Sequence, residues 1–189
     1  ALDEHNLELH RRVLGSGDPS TLRVMNSVAM DRRMVGDFQG AYEMNVEVER
    51  QTRNALEDGA LVAVLAQEAQ ARDLYLLGRY AEARDLLDTS LPVQRSLMGN
   101  HHLTVLRAVC VHVAALRKTG RLAEAVAEGL ENHRNSVHRF GIEHVLSAET
   151  ALACANALRA AGDHVKAHEL ATRGYATFQR SYGPHHAVT

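Results

Sequence analysis

Tryptophan is absent from this chain, proline occurs only three times, and aromatic residues make up 4% of it. A β-sandwich or barrel draws heavily on aromatic strands and turn prolines, so this poverty argues against both and suits helices. No apolar run approaches the roughly 18 residues of a membrane-spanning helix, and the first residues lack the pattern of a signal peptide. The formal net charge of −2 leaves no overall basic excess for gripping nucleic acid or an anionic membrane. Only two cysteines occur, Cys110 and Cys154, and no spacing pairs them. A reduced, cytoplasmic setting is the expectation that follows. Lysine is scarce as well: Lys118 and Lys166 are the only two among 21 basic residues. An arginine bias of that size is the composition expected of a GC-rich bacterial genome.

What the chain does have is periodicity. Gly36, Gly78, Gly120 and Gly162 stand 42 residues apart, and each opens the same short phrase. The phrases run Gly36-Asp37-Phe38-Gln39-Gly40-Ala41, Gly78-Arg79-Tyr80-Ala81-Glu82-Ala83, Gly120-Arg121-Leu122-Ala123-Glu124-Ala125 and Gly162-Asp163-His164-Val165-Lys166-Ala167. Gly99, Gly141 and Gly183 keep the same period, each following a bulky residue (Met98, Phe140, Tyr182). An internal repeat of this regularity predicts an all-α solenoid, a form that more often presents a binding surface than a catalytic centre.

Each unit reads as two helices. Before the phrase glycine lies a helical pattern of about 16 residues, as in Leu22, Met25 and Ala29 or Leu106, Val109, Val113 and Leu116. The glycine supplies the left-handed residue that ends that helix tightly. A bulky residue (Phe38, Tyr80, Leu122) then restarts the apolar pattern, with His164 the exception. Ala41, Ala83, Ala125 and Ala167 hold the position where the two helices must approach closely. A longer second helix runs to a last apolar position at Leu56, Met98, Phe140 or Tyr182. Pro92 is expected to interrupt or kink the second helix of its unit. The repeats predicted are 20–57, 60–99, 102–141 and 144–183, with a partial second helix over 1–15 and the opening of another link at 184–189.

The combination of glycine, an aromatic two residues on and an alanine three beyond that (Gly78, Tyr80, Ala83) resembles the tetratricopeptide repeat. The 42-residue unit resembles the kinesin-light-chain-like variety, whose links read roughly Leu-Gly-x-x-His-Pro-x-Thr-Leu. Leu14-Gly15 with Asp18-Pro19-Ser20-Thr21-Leu22 follows that pattern, as does Gly99-Asn100-His101-His102-Leu103-Thr104, though the proline becomes Leu103 there and the later link reads His185-His186. Asn26-Ser27-Val28-Ala29 echoes the family's Asn-Asn-Leu-Ala. The resemblance spans the whole chain and implies a right-handed α-α superhelix. Leu7, Arg11, Val13 and Gly15 align with Leu91, Arg95, Leu97 and Gly99 two periods on. The chain therefore reads as a piece excised from a longer array, and the resemblance implies a bacterial signalling protein with a nucleotide-binding switch domain elsewhere.

The resemblance also implies that first helices line a concave groove where ligand peptides lie. A 3-4-3 spacing on their outward face selects Arg23, Asn26, Met30 and Arg33, then Leu65, Glu68, Arg72 and Tyr75. In the later units it selects Arg107, Cys110, Ala114 and Arg117, then Glu149, Leu152, Asn156 and Arg159. Six of these residues are arginine and two are glutamate. Guanidinium groups in register favour carboxylates through charge-assisted, bidentate bonds, and Asn26 and Asn156 suit an extended peptide backbone. The expected partner is a protein or peptide, acidic or bearing a free C-terminus. Lysine is missing from these columns, so the family's paired Lys and Asn clamp is not matched in full. The competing expectation for the arginines is ordinary solvation or pairing with a glutamate one turn away.

Other chemistry finds less purchase. Twelve histidines include His101-His102 and His185-His186, but the pairs lie 84 residues apart in links where the repeat itself accounts for them. No metal or cofactor is expected. Cys110 has His112 two residues along a helix, on another face, and His112 falls on a packing row. With no phosphate-binding loop or paired-carboxylate motif, no enzyme activity is expected. A single aromatic in the groove makes nucleic acid a poor ligand. The alternative to peptide capture is a structural module that packs on a neighbouring domain or forms a homodimer through apolar ends.

Overall fold

The computed structural model describes residues 2–53 and 59–183, and side chains from 4 to 52 and 62 to 183. Leu56 and the pair His185-His186 lie outside the described residues. Among the described residues every regular element is an α-helix: α1 (Leu2–Leu14), α2 (Pro19–Met34), α3 (Phe38–Arg53), α4 (Gly59–Leu76), α5 (Tyr80–Met98), α6 (Leu103–Lys118), α7 (Leu122–Phe140), α8 (Val145–Ala160) and α9 (His164–Tyr182).

The repeated phrase builds the same turn each time. Gly36 takes φ 86°, and its three counterparts 79°, 82° and 92°. The left-handed residue lets the following N–H reach back to a carbonyl five residues earlier: Asp37 to Arg32, Arg79 to Leu74, Arg121 to Leu116 and Asp163 to Leu158, at 2.9–3.0 Å. A β-carbon at any of the four would force this backbone into a conformation L-residues avoid. The starts of α2, α6, α8 and α9 carry side-chain caps. The Asp18 carboxylate accepts from Ser20 N at 2.7 Å ahead of Pro19, while His102 and His144 use Nδ1 to accept from Thr104 N and Leu146 N. An acceptor Nδ1 places the imidazole proton on Nε2.

The chain forms two compact units, 1–94 and 95–189. In the first, α2 packs on α1 and α3, and α3 on α4. Its core joins Leu7, Leu22, Met25, Val28, Met44, Val48 and Ala66. In the second, α8 packs against α6, α7 and α9, and Cys154, Leu158 and Ala167 form a core with Val126, Leu130 and Leu170. Ala41, Ala83 and Ala125 are fully buried and Ala167 nearly so. Pro92 does not end α5, which continues through it with the ring exposed to solvent.

Candidate functional site

In the first unit the spacing-selected residues part company. Arg23, Asn26 and Met30 are exposed on α2, with Arg23 Nη2 donating to Ser20 Oγ at 3.0 Å. Arg33 turns inward instead. Its Nε donates to Oδ1 of Asp73, a carboxylate with no solvent exposure, and Asn45 Nδ2 donates to the other oxygen at 2.7 Å. A buried carboxylate needs such partners, because desolvation would otherwise neutralise it. Asp73 therefore recruits Arg33 into the interior. Gln70 and Gln67 extend the polar core by donating to the two oxygens of Glu49, each at 2.8 Å. Glu68 is nearly buried and paired with Arg72 one turn on. Tyr75 packs its ring against Tyr80, centroids 5.1 Å apart.

Sequence spacing missed Asp73, and its repeat column could not have found it. The same repeat position holds Ala115 and Ala157, both fully buried, but also Asp31, which is exposed.

In the second unit Arg107 lies across from Glu149, exposed, with Nε and Nη2 donating to separate carboxylate oxygens at 3.1 and 3.2 Å. These two residues stand one period apart, so the pair ties α6 to α8. Asn156 and Arg159 are exposed on α8, and Arg117 is half-buried on α6. Cys110, also half-buried, receives a long contact from Asn132 Nδ2 at 3.5 Å. The buried Cys154 thiol is pushed up to about 11 by desolvation, which leaves it protonated and unreactive.

A second ionic cluster lies behind α6. Glu128 sits where the other units carry Met44, Leu86 and Leu170. It accepts from Arg95 Nη2 at 2.9 Å and from His112 Nδ1 at 2.6 Å. Burial pushes the Glu128 carboxyl upward, but the His112 bond and charge, with Arg95 adding to them, hold it below the usual value. The adjoining polar pocket, lined by Asn100, Glu131 and Asn135, measures about 10 Å³. That is room for a single water and for no organic ligand. His112 is buried in this cluster, facing away from the α6 surface that carries Arg107. Among the described residues no three His, Cys, Asp or Glu side chains gather as a metal site, and no helix is long and apolar enough to cross a membrane.

Comparison with known proteins agrees with this helical pattern. The tetratricopeptide repeat family model matches residues 71–104. No curated protein matches the sequence. Among solved structures, the chain is similar to a Podosopora anserina putative kinesin light chain with nearly identical TPR-like repeats. A single-residue variant of that protein gives a TM-score of 0.76 at 22% identity, covering 95% of this chain and 84% of that one. BtubC (BKLC) from P. vanneervenii gives a TM-score of 0.79 at 15% identity, over 97% of this chain and 74% of that one. At such identities the likeness speaks for the fold alone. With the 42-residue unit, its glycine-closed turns and its buried alanine column, it shows that the chain has an α-α repeat fold like that of the tetratricopeptide-type repeats in these kinesin-light-chain-like structures.

Proposed function

We propose that this chain is a non-catalytic protein-binding scaffold whose first helices capture an acidic or C-terminal peptide, as the recruitment arm of a larger signalling protein. The observation that carries the reading is what the first helices leave in solvent. On α2 these are Arg23, Asn26 and Met30; on α6 and α8 they are Arg107, Asn156 and Arg159. Guanidinium and carboxamide groups beside small apolar patches suit a peptide with carboxylates and an extended backbone. The Arg107–Glu149 pair is an exposed bridge, worth at most about 1 kcal/mol, so a ligand carboxylate can displace Glu149 at small cost. Arg33 and Arg72, held by Asp73 and Glu68, belong to the structure and not to the reading surface.

Those same internal pairs favour a second reading, in which the array mainly packs against a neighbouring domain or a second copy. Titration of fluorescent acidic and basic peptides, with free or amidated C-termini, separates the two. Peptide capture predicts that Arg23→Glu or Arg107→Glu weakens binding of acidic peptides about tenfold or more, as loss of one charge-assisted bond does. Unchanged binding in both variants contradicts it.

A further inference from the structure

His101, in the link before α6, and His138, in the last turn of α7, bring their rings together with centroids 5.3 Å apart and planes tilted by 47°. One period on, the same two positions hold Glu143 and Arg180, which form an ion pair at 3.2 Å. One period back they read Gly59 and Ser96. The repeat thus carries these positions into contact, and the residue types decide what happens there. Glutamate and arginine complete each other, but two imidazoles do not. Neutral rings offer only an aromatic contact, and protonated rings repel. A shared cation removes that conflict, because the lone pair of a neutral imidazole is the commonest protein ligand for a metal.

His101 is prepared for that role. Its Nδ1 lies 3.3 Å from the backbone carbonyl oxygen of Asn135. That oxygen can only accept, so Nδ1 carries the proton and Nε2 the lone pair. A ligating histidine is oriented by just such a bond from its other nitrogen. The sequence neighbour His102 is engaged elsewhere, its Nδ1 accepting from Thr104 N. Two imidazoles on one tetrahedral zinc, with metal–nitrogen distances of about 2.0–2.1 Å, hold their ring centres roughly 5 Å apart. The two rings already stand at that separation, and both side chains are exposed, so they can turn onto an ion without disturbing the core. We propose that His101 and His138 form a two-imidazole site for a divalent transition-metal ion of the zinc class, with water completing the coordination. Two protein ligands are fewer than the three or four of catalytic and structural zinc sites, so the ion exchanges readily. Neither histidine belongs to the first-helix surface, and the site stands or falls apart from the scaffold reading.

Zinc chloride titrated into the whole chain, free of any affinity tag, provides the test. Calorimetry reads the affinity, and long-range ¹H–¹⁵N NMR of the imidazoles reads which of the twelve histidines respond. The ring nitrogens of His101 and His138 are expected to shift first and together. His138→Ala is expected to weaken zinc binding about tenfold or more, the low end of what losing even a supporting group costs a metal site. The double variant His101→Glu/His138→Arg installs the ion pair of the next link. It is expected to keep the metal-free melting temperature and to lose this zinc binding altogether. His185→Ala/His186→Ala, which removes the other sequence-adjacent pair, is expected to leave the tightest binding unchanged. Zinc affinity that survives the double variant overturns the proposal, as does loss of binding in His185→Ala/His186→Ala. Ring shifts confined to other histidines, or no zinc binding by the unmodified chain, overturn it too.

Discussion

At the scale of single residues, the decisive groups are carboxylates that stand in columns of apolar neighbours. Glu128 is the clearest, because its pairing with His112 and Arg95 outweighs the cost of burial. Its folded pKa is depressed, so its contribution is fully present above the ordinary carboxylate value of 4.5 and is lost as pH falls through the depressed one. His133, lowered mainly by burial and held at 3.2 Å from Thr150 Oγ1, acts with the same sign from the ordinary histidine value of 6.5 downward. Glu128→Gln should therefore lower stability by about 1–3 kcal/mol at neutral pH, the cost of stripping buried donors of a charged acceptor. Urea melts of both proteins should converge as the pH drops below 4. A gap that persists in acid would assign the effect to packing. The cysteines separate as sharply. With its thiol near 11, Cys154 should resist iodoacetamide in the folded protein while half-buried Cys110 reacts first, as peptide mass mapping can check.

At the scale of helices, much was legible in advance. The glycine phrase marks each turn because only a left-handed residue closes that backbone loop, and the alanine column marks each close approach because nothing larger fits. Which way an arginine points was not legible. Arg33 and Arg159 share a column, yet one is drawn inward by Asp73 and the other lies in solvent. The difference comes from a neighbouring helix and not from the arginine's own spacing. Gly129 was equally silent, since glycine within a helix ordinarily costs about 1 kcal/mol against alanine. Here the α8 backbone, 3.2 Å from a notional β-carbon, explains it. Gly129→Ala gains helix propensity but forces two backbones apart, a strain of about 1–3 kcal/mol. The net expectation is a loss of about 1 kcal/mol, seen as a lower melting temperature; a rise would show that α8 yields freely.

At the scale of the whole molecule, a chain of net charge −2 puts arginines on the outward faces of its first helices and neutralises part of them internally. That division makes electrostatics a test of function and not of fold. If the exposed arginines read a ligand, affinity must carry the salt dependence of partly exposed ion pairs. If the array serves only to pack, salt should leave peptide behaviour flat. The most direct measurement is a titration of the chain with matched acidic and basic peptides, free and amidated at the C-terminus, in low and high salt. The scaffold account predicts selective capture of acidic or free-carboxylate peptides that weakens as salt rises. Binding indifferent to peptide charge and salt, or no binding to any peptide, would contradict it.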